Sequence, residues 1–215
     1  MNKNIILIIG TLLIIGTVIT LLSKNAKQEV SVVEVQSKTE VNEEDIRTVI
    51  LAGGCFWCVE ADMQKLAGVV DVVSGYSGGQ SESPTYQNYT AGGHREVVEV
   101  EYDSSVVDLG TVIEYFLKHI DPTDSAGSFG DRGVEYSPAI YYADETEKEI
   151  AENSIQDIEK LGVYDKPLSI PVLQREKFWP AEEYHQDYSV KNPVRYKFYR
   201  TGSGRDVFLE KYWGI

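Results

Sequence analysis

Between residues 48 and 66 the spacing of apolar positions changes once, from the period of a strand to that of a helix. An apolar, β-branched run, Val49, Ile50 and Leu51, is cut by Gly53-Gly54, and helical spacing begins at Cys55 and continues to about Leu66. A strand, a tight glycine turn and a helix start are predicted. Residues 96–102 alternate apolar and acidic side chains over part of their length, which predicts a half-exposed strand. Val112, Ile113, Phe116 and Ile120 give 109–120 a helical face, stopped by Asp121-Pro122. Residues 123–135, rich in Gly, Ser and Asp, read as a long loop, and 137–142 as a strand. The charged segment 144–161 predicts an amphipathic helix with Ile150, Ile155, Ile158 and Leu161 facing in and Gly162 ending it. Residues 168–173 predict a strand broken or edged by Pro171, and 180–188 a short helix with proline in its first turn.

Strands and helices alternate early, but their connections are short and glycine-rich and lack the repeated spacing of a doubly wound fold. The expected class is α+β, with helices packed on a mixed or antiparallel sheet. The 215 residues suffice for one catalytic domain with additions. A formal charge of −14, from 34 acidic against 20 basic residues, argues against a nucleic-acid partner, because phosphate binding needs clustered cations.

The N-terminal segment is organised differently. Residues 5–22 form an uncharged aliphatic run that, as a helix, would reach roughly 27 Å, close to the ~30 Å core of a bilayer. The run exceeds the usual apolar stretch of a cleaved signal peptide, and no small-x-small cleavage site follows it. A membrane anchor over 1–27 is expected, with a cleaved signal peptide as the alternative and the catalytic part outside the cytoplasm. Residues 28–45 are polar and acidic and read as a flexible tether. The domain is expected over 46–200, with 201–215 as a C-terminal extension packed on it.

The chain has two cysteines, Cys55 and Cys58. A thiol at a helix N-terminus lies in the positive end of the peptide dipoles, so Cys55 is expected to ionise easily and to act as a nucleophile. Positions three apart on a helix lie about 5 Å apart, within disulfide range, so the pair can bridge with local distortion. A zinc site would need more ligands than the singly scattered His94, His119 and His185 provide. A bridge this short removes little unfolded-state entropy, so stability alone is a poor reason for it. Redox chemistry is the strong reading. Bulky Phe56 and Trp57 between the cysteines suggest a small hydrophobic cradle, at least one ring lining a pocket above Cys55. A thioredoxin-like thiol–disulfide oxidoreductase or redox sensor, and a module with a permanently oxidised pair, stay open as alternatives.

Gly54-Cys55-Phe56-Trp57, Gly75-Tyr76-Ser77-Gly78-Gly79, Pro84-Thr85-Tyr86, Gly93-His94-Arg95-Glu96, Asp131-Arg132-Gly133-Val134-Glu135-Tyr136-Ser137 and His185-Gln186-Asp187-Tyr188, followed by Lys191-Asn192-Pro193, occur in that order. This series resembles the signature of the A-type peptide methionine sulfoxide reductases, and it covers most of 48–193. The resemblance implies a two-layer α/β roll with ferredoxin-like elements. It also implies reduction of the S epimer of methionine sulfoxide, free and in proteins, without metal or organic cofactor. By the same likeness Cys55 is the nucleophile, Glu96 the acid, and Tyr86 and Tyr136 partners of the sulfoxide oxygen. Phe56 and Trp57 wall the substrate site and Asp131 holds the substrate backbone. His94 and His185 suit bracing of loops, and His119 a helix-end or surface position. Many relatives resolve the resulting sulfenic acid with a cysteine in the C-terminal segment, but residues 199–215 carry no sulfur. Cys58 is then the internal candidate, as in the subgroup reading Cys-Phe-Trp-Cys, with a thioredoxin-like protein as reductant and the chain a monomer.

Overall fold

A computed structural model describes residues 42–215. The expected anchor and all but the last four residues of the expected tether lie outside the described residues. Among those described, no helix is long and apolar enough to cross a membrane. Residues 42–45 are built into the domain: the Asn42 side chain caps a 3₁₀ turn, Glu43–Asp45, that leads directly into the first strand.

The predicted strand, turn and helix are β1, Ile46–Ala52, and α1, Phe56–Met63. They are followed by β2, Val69–Ser77, and β3, Arg95–Asp103. Next come α2, Leu109–Lys118, the short β4, Gly127–Ser128, and β5, Asp131–Arg132, then β6, Ala139–Tyr142, and α3, Glu145–Lys160. The chain ends with β7, Val172–Gln174, β8, Trp179–Pro180, and the helices α4, Tyr188–Lys191, α5, Pro193–Ser203, and α6, Arg205–Trp213.

Six strands form one sheet in the order β7-β6-β1-β3-β2-β8, antiparallel except for the parallel pair β6 and β7. This is the mixed sheet expected. In β1 the strand period puts Val49 and Leu51 on one face and Ile50 and Ala52 on the other. The first face joins Val98 and Val100 of β3 to Phe56, Val59 and Met63 of α1 and to Val112, Phe116 and Ile158 of α2 and α3. Helices and sheet thus share the larger core, while the second face carries a smaller cluster with Val97, Ala139 and Tyr141.

Several local expectations need correction. β3 is a central strand, mostly buried instead of half-exposed, because β1 and β2 flank it on both edges. β2 had no sequence expectation; Asp71 and Ser74 interrupt its apolar run. The loop 123–135 contains the β4–β5 hairpin. Leu161 is 58% exposed, since it forms the C-cap of α3 beyond the last inward turn. Residues 180–188 are no continuous helix: β8 pairs with β2, a 3₁₀ turn spans Glu183–His185, and Asp187 takes φ +53°. The Gln186 amide explains the break, because it accepts from the Ser74 N–H and donates to the Ser74 carbonyl, both at 2.9 Å, standing in for a strand partner.

The turn between β1 and α1 depends on glycine. Gly54 has φ +89°, and a Cβ there would lie 2.4 Å from Ser128 Cβ. Gly54→Ala is expected to cost about 1–3 kcal/mol of stability, read as a lower urea midpoint at unchanged slope.

Candidate active site

The glycine turn delivers Cys55 to the N-cap of α1, where its side chain makes no capping hydrogen bond. The first free N–H of the helix, that of Phe56, donates instead to Glu96 Oε2 at 3.0 Å. Glu96 arrives from β3, where it sits opposite Tyr76 of β2. Its other oxygen, Oε1, lies 3.0 Å from the Tyr89 hydroxyl, which is 3.3 Å from the Tyr136 hydroxyl. At 3% exposure, burial raises the Glu96 pKa to about 8, against the pull of the Phe56 N–H and Tyr89. The carboxyl therefore carries a proton at neutral pH.

Cys55, Phe56, Trp57, Tyr86, Glu96, Asp131 and Tyr136 all line one small cleft of about 60 Å³. Five separate pieces of chain supply them: the start of α1, the β2–β3 connection, β3, β5 and the 3₁₀ turn Val134–Tyr136. Cys58 does not line the cleft; it is buried behind Cys55, one helical turn on. Phe56 and Trp57 both line it, although Phe56 is fully buried and only Trp57 keeps some exposure. Trp57 stacks on Tyr188 at 3.8 Å between ring centres and donates from Nε1 to His185 Nδ1 at 3.1 Å. That bond requires an unprotonated Nδ1, which suits a histidine whose pKa burial depresses.

The ionisation expected of Cys55 is reversed. Burial first, then a hydrogen bond with Cys58 and the charge of Glu96, push its thiol well up. Cys58 falls instead to about 7, chiefly through that same hydrogen bond and, against its burial, through Arg205 and Arg200. Desolvation outweighs the helix dipole at Cys55, so its thiol is harder to ionise than its place at the helix start suggests.

Sequence reasoning missed Tyr89, Tyr199 and Glu182. Tyr199, from α5, is the eighth wall of the cleft, and its hydroxyl donates to Asp131 Oδ2. Glu182 anchors Tyr86 by accepting its N–H at 3.0 Å and also accepts from the Tyr76 hydroxyl at 3.0 Å. Tyr89 had a signal, since it lies three residues after Tyr86; Tyr199 had only its place in the sulfur-free tail. His94 braces the β2–β3 connection, accepting the Gly79 N–H at 3.2 Å and meeting the Ser81 carbonyl at 2.9 Å. His119 is the C-cap of α2, with Nδ1 2.7 Å from the Tyr115 carbonyl oxygen.

The family model for peptide methionine sulfoxide reductase matches residues 47–215, more than three quarters of the chain and all of the cleft. The chain belongs to the peptide methionine sulfoxide reductase family. This reductase is 51% identical over 166 residues to peptide methionine sulfoxide reductase MsrA/MsrB of Vibrio cholerae, an alignment that covers 76% of this chain and 44% of that longer protein. It is 44% identical to MsrA 2 of Staphylococcus aureus strain MW2, again over 76% of this chain but 94% of the relative. Among solved structures, Mxr1 of Saccharomyces cerevisiae in reduced form superposes with a TM-score of 0.64 at 28% identity, over 73% of this chain and 91% of that one. Methionine sulfoxide reductase A of Corynebacterium diphtheriae gives 0.60 at 28% identity, over 71% and 78%. The match runs through Ile215, so the segment expected as an extension lies within the family's own span.

In the reductase, Tyr199 fixes the orientation of Asp131, which with Glu96 supplies the carboxyl groups of the cleft wall among the described residues. Tyr199→Phe is expected to raise KM about tenfold with kcat nearly held, the loss of a charge-assisted hydrogen bond of about 1.4 kcal/mol. Steady-state assays with a sulfoxide peptide check it.

Proposed function

We propose that this chain reduces the S epimer of methionine sulfoxide, free and in proteins, through a Cys55 sulfenic acid and a Cys55–Cys58 disulfide. The observation that carries the reading is the meeting, in one cleft, of a thiol, a proton-bearing carboxyl and phenol hydroxyls between two aromatic walls. A sulfoxide side chain has a methyl group, a pyramidal sulfur and a polar oxygen, and each finds a counterpart there. The choice of epimer follows the family likeness, each epimer having its own enzyme type.

In the proposed reaction Phe56 and Trp57 hold the methyl group while Cys55 attacks the sulfoxide sulfur. The Cys55 proton passes to Cys58, its hydrogen-bonded neighbour. As the S–O bond weakens, charge gathers on oxygen, where Tyr86 and Tyr136 donate hydrogen bonds and Glu96 gives its proton. Two electrons move from the Cys55 sulfur to the methionine sulfur. The hydroxyl passes from the methionine sulfur to the Cys55 sulfur as the first S–O bond breaks and a new one forms, so methionine leaves and Cys55 is left as a sulfenic acid. Asp131, steadied by Tyr199, holds the substrate backbone. Cys58 then displaces the hydroxyl as water, and a thioredoxin-like dithiol reduces the bridge. Neither metal nor organic cofactor is called for. The chain acts as a monomer anchored by residues 5–22 with the domain outside the cytoplasm, so the donor would be exported or membrane-tethered.

A general thiol–disulfide oxidoreductase is disfavoured by the company Cys55 keeps in the cleft, since a buried carboxyl and phenol hydroxyls suit a sulfoxide oxygen and have no part in thiol–disulfide exchange. The deciding assay is dithiothreitol-driven reduction of S- and R-sulfoxide peptides and of insulin, with Cys55→Ser protein as baseline. Methionine from the S peptide alone is expected. Insulin reduction without methionine, or preference for the R peptide, would overturn the reading. Protease accessibility of the domain on intact cells tests the topology.

A further inference from the structure

The chain carries 34 acidic against 20 basic residues, yet residues 188–203, which span α4 and α5, hold Lys191, Arg195, Lys197 and Arg200 and no acidic residue. Two of these cations are taken up: Lys191 pairs with Glu183 at 2.7 Å, and Arg200 with Asp62 at 2.8 Å and Asp206 at 2.6 Å. Arg195 and Lys197 are exposed and, among the described residues, form no ion pair. The apolar side chains of the segment are as unusual as its charge. Val194 and Phe198 are 81% and 84% exposed, and Val190 of α4 is exposed as well. Val194 and Phe198 stand four apart and share one face of α5. Single exposed apolar side chains are ordinary, but two on one helical face beside unpaired cations make a patch that invites a partner.

This patch adjoins the cleft. Tyr199, which lines the cleft, belongs to α5, and Arg195, four residues before it, lies one turn away on the same side of the helix. Phe198 is rotated about 100° from Tyr199, and Val194 follows it one turn back. On the α4 side, Tyr188 stacks on Trp57, another wall of the cleft. The cleft itself, at about 60 Å³, admits a side chain and leaves no room for its neighbours along a polypeptide. Those neighbours must lie on the rim, and here the rim is apolar and basic at once. A second copy seated on this face by a two-fold axis would set Arg195 and Lys197 against their own kind, so the charge calls for an anionic occupant.

We propose that the outer face of α5, with Val194, Arg195, Lys197 and Phe198, docks the residues that flank the sulfoxide in a polypeptide substrate and selects flanks that are acidic and apolar. The inference rests on the reading that the chain reduces methionine sulfoxide within proteins as well as free. Val194 and Phe198 give an apolar flank a dry contact, and the two cations draw in carboxylates. Such contacts are alike before and during attack on the sulfur, so they lower KM for a polypeptide and leave kcat and the free amino acid untouched. The net charge of −14 taken alone favours basic peptides. In about 0.15 M salt that field is screened beyond roughly 8 Å, so the preference is set by what the flank touches.

The test measures dithiothreitol-driven reduction by the full chain, in about 0.15 M salt, of free methionine sulfoxide and of seven-residue peptides blocked at both ends. Each peptide has leucine on either side of the sulfoxide and two aspartates or two lysines beyond each leucine. Arg195→Glu combined with Lys197→Glu is expected to lower kcat/KM for the aspartate peptide relative to the lysine peptide about tenfold, through KM. The same change of charge on α3, Lys148→Glu with Lys160→Glu, should leave that ratio within about twofold. Phe198→Ser should raise KM about fivefold for the leucine peptides and leave it unchanged for peptides with serine in place of leucine. All of these proteins should reduce free methionine sulfoxide alike. The proposal is overturned by a ratio that the α5 pair leaves in place, by one that the α3 pair moves as far, or by losses that fall equally on free methionine sulfoxide. An effect confined to KM for a thioredoxin overturns it too, since α5 would then receive the reductant. Wild type that makes methionine from the free amino acid and from neither peptide would instead sink the underlying reading of the substrate.

Discussion

Glu96→Gln protein is expected to form its first methionine about 10²–10⁴ times more slowly than wild type, the usual contribution of a positioned general acid. Glutamine can still accept the Phe56 N–H, so the turn at Cys55 should stay in place and the loss should fall on proton delivery. In wild type the same step should weaken as pH rises through about 8, where Glu96 ionises, and the glutamine protein should lack that limb. Stability supplies a second reading with a fixed sign. Glu96 binds its proton more tightly folded than unfolded, so its cost to the fold is absent below the ordinary glutamate range, grows as pH rises towards 8 and is constant above. Glu96→Gln should therefore raise the melting temperature at pH 9 and barely change it at pH 4. Equal shifts at both pH values would mean that Glu96 is not held protonated. Single-turnover quench and thermal unfolding measure the two effects.

Cys58→Ser protein should release one methionine per chain and then stop when a thioredoxin is the only reductant. The amplitude is the diagnostic quantity. The first turnover should slow as well, because serine is a poor acceptor for the Cys55 proton, but its yield should remain one per chain. That turnover leaves a sulfenic acid on Cys55 with no thiol in reach: the chain has no third cysteine, and both positions are buried. Continued cycling with thioredoxin would show that a donor attacks Cys55 directly and that the internal pair is dispensable. A dimedone adduct on Cys55 after the first turnover, absent from wild type, would identify the stalled species.

Local pattern made the first half of the fold readable. β1, the glycine turn and α1 were visible because a strand period and a helix period meet at Gly53-Gly54, and each change of period has its own residue chemistry. The stretch after Pro180 misled, since proline followed by polar residues reads equally as a helix start. The break depends on Gln186 pairing with Ser74, a contact 112 residues away in sequence. The site was legible through its motifs, and the seven residues named from them all line one cleft. Residue type alone would have left Glu96 a solvated strand carboxylate. The easy ionisation expected of Cys55 was not met, because a helix dipole is a local property, whereas the burial that overrides it comes from packing of distant segments. Tyr199 was invisible for the same reason: nothing near it in sequence says that it folds back to line the cleft.

The margins of the sheet have a bearing on the company this protein can keep. At one side it ends in three-residue β7; at the other, β8 and the Gln186 amide occupy part of β2. The remainder of β2 is distorted by a bulge at Val69/Asp71 and carries an acidic side chain. Damaged chains with frayed strands seek a flat, unpaired template on which to zip up, and among the described residues neither border offers one. Under the proposed action on oxidised proteins, the enzyme would meet half-unfolded polypeptides at its cleft without being drawn into their aggregates.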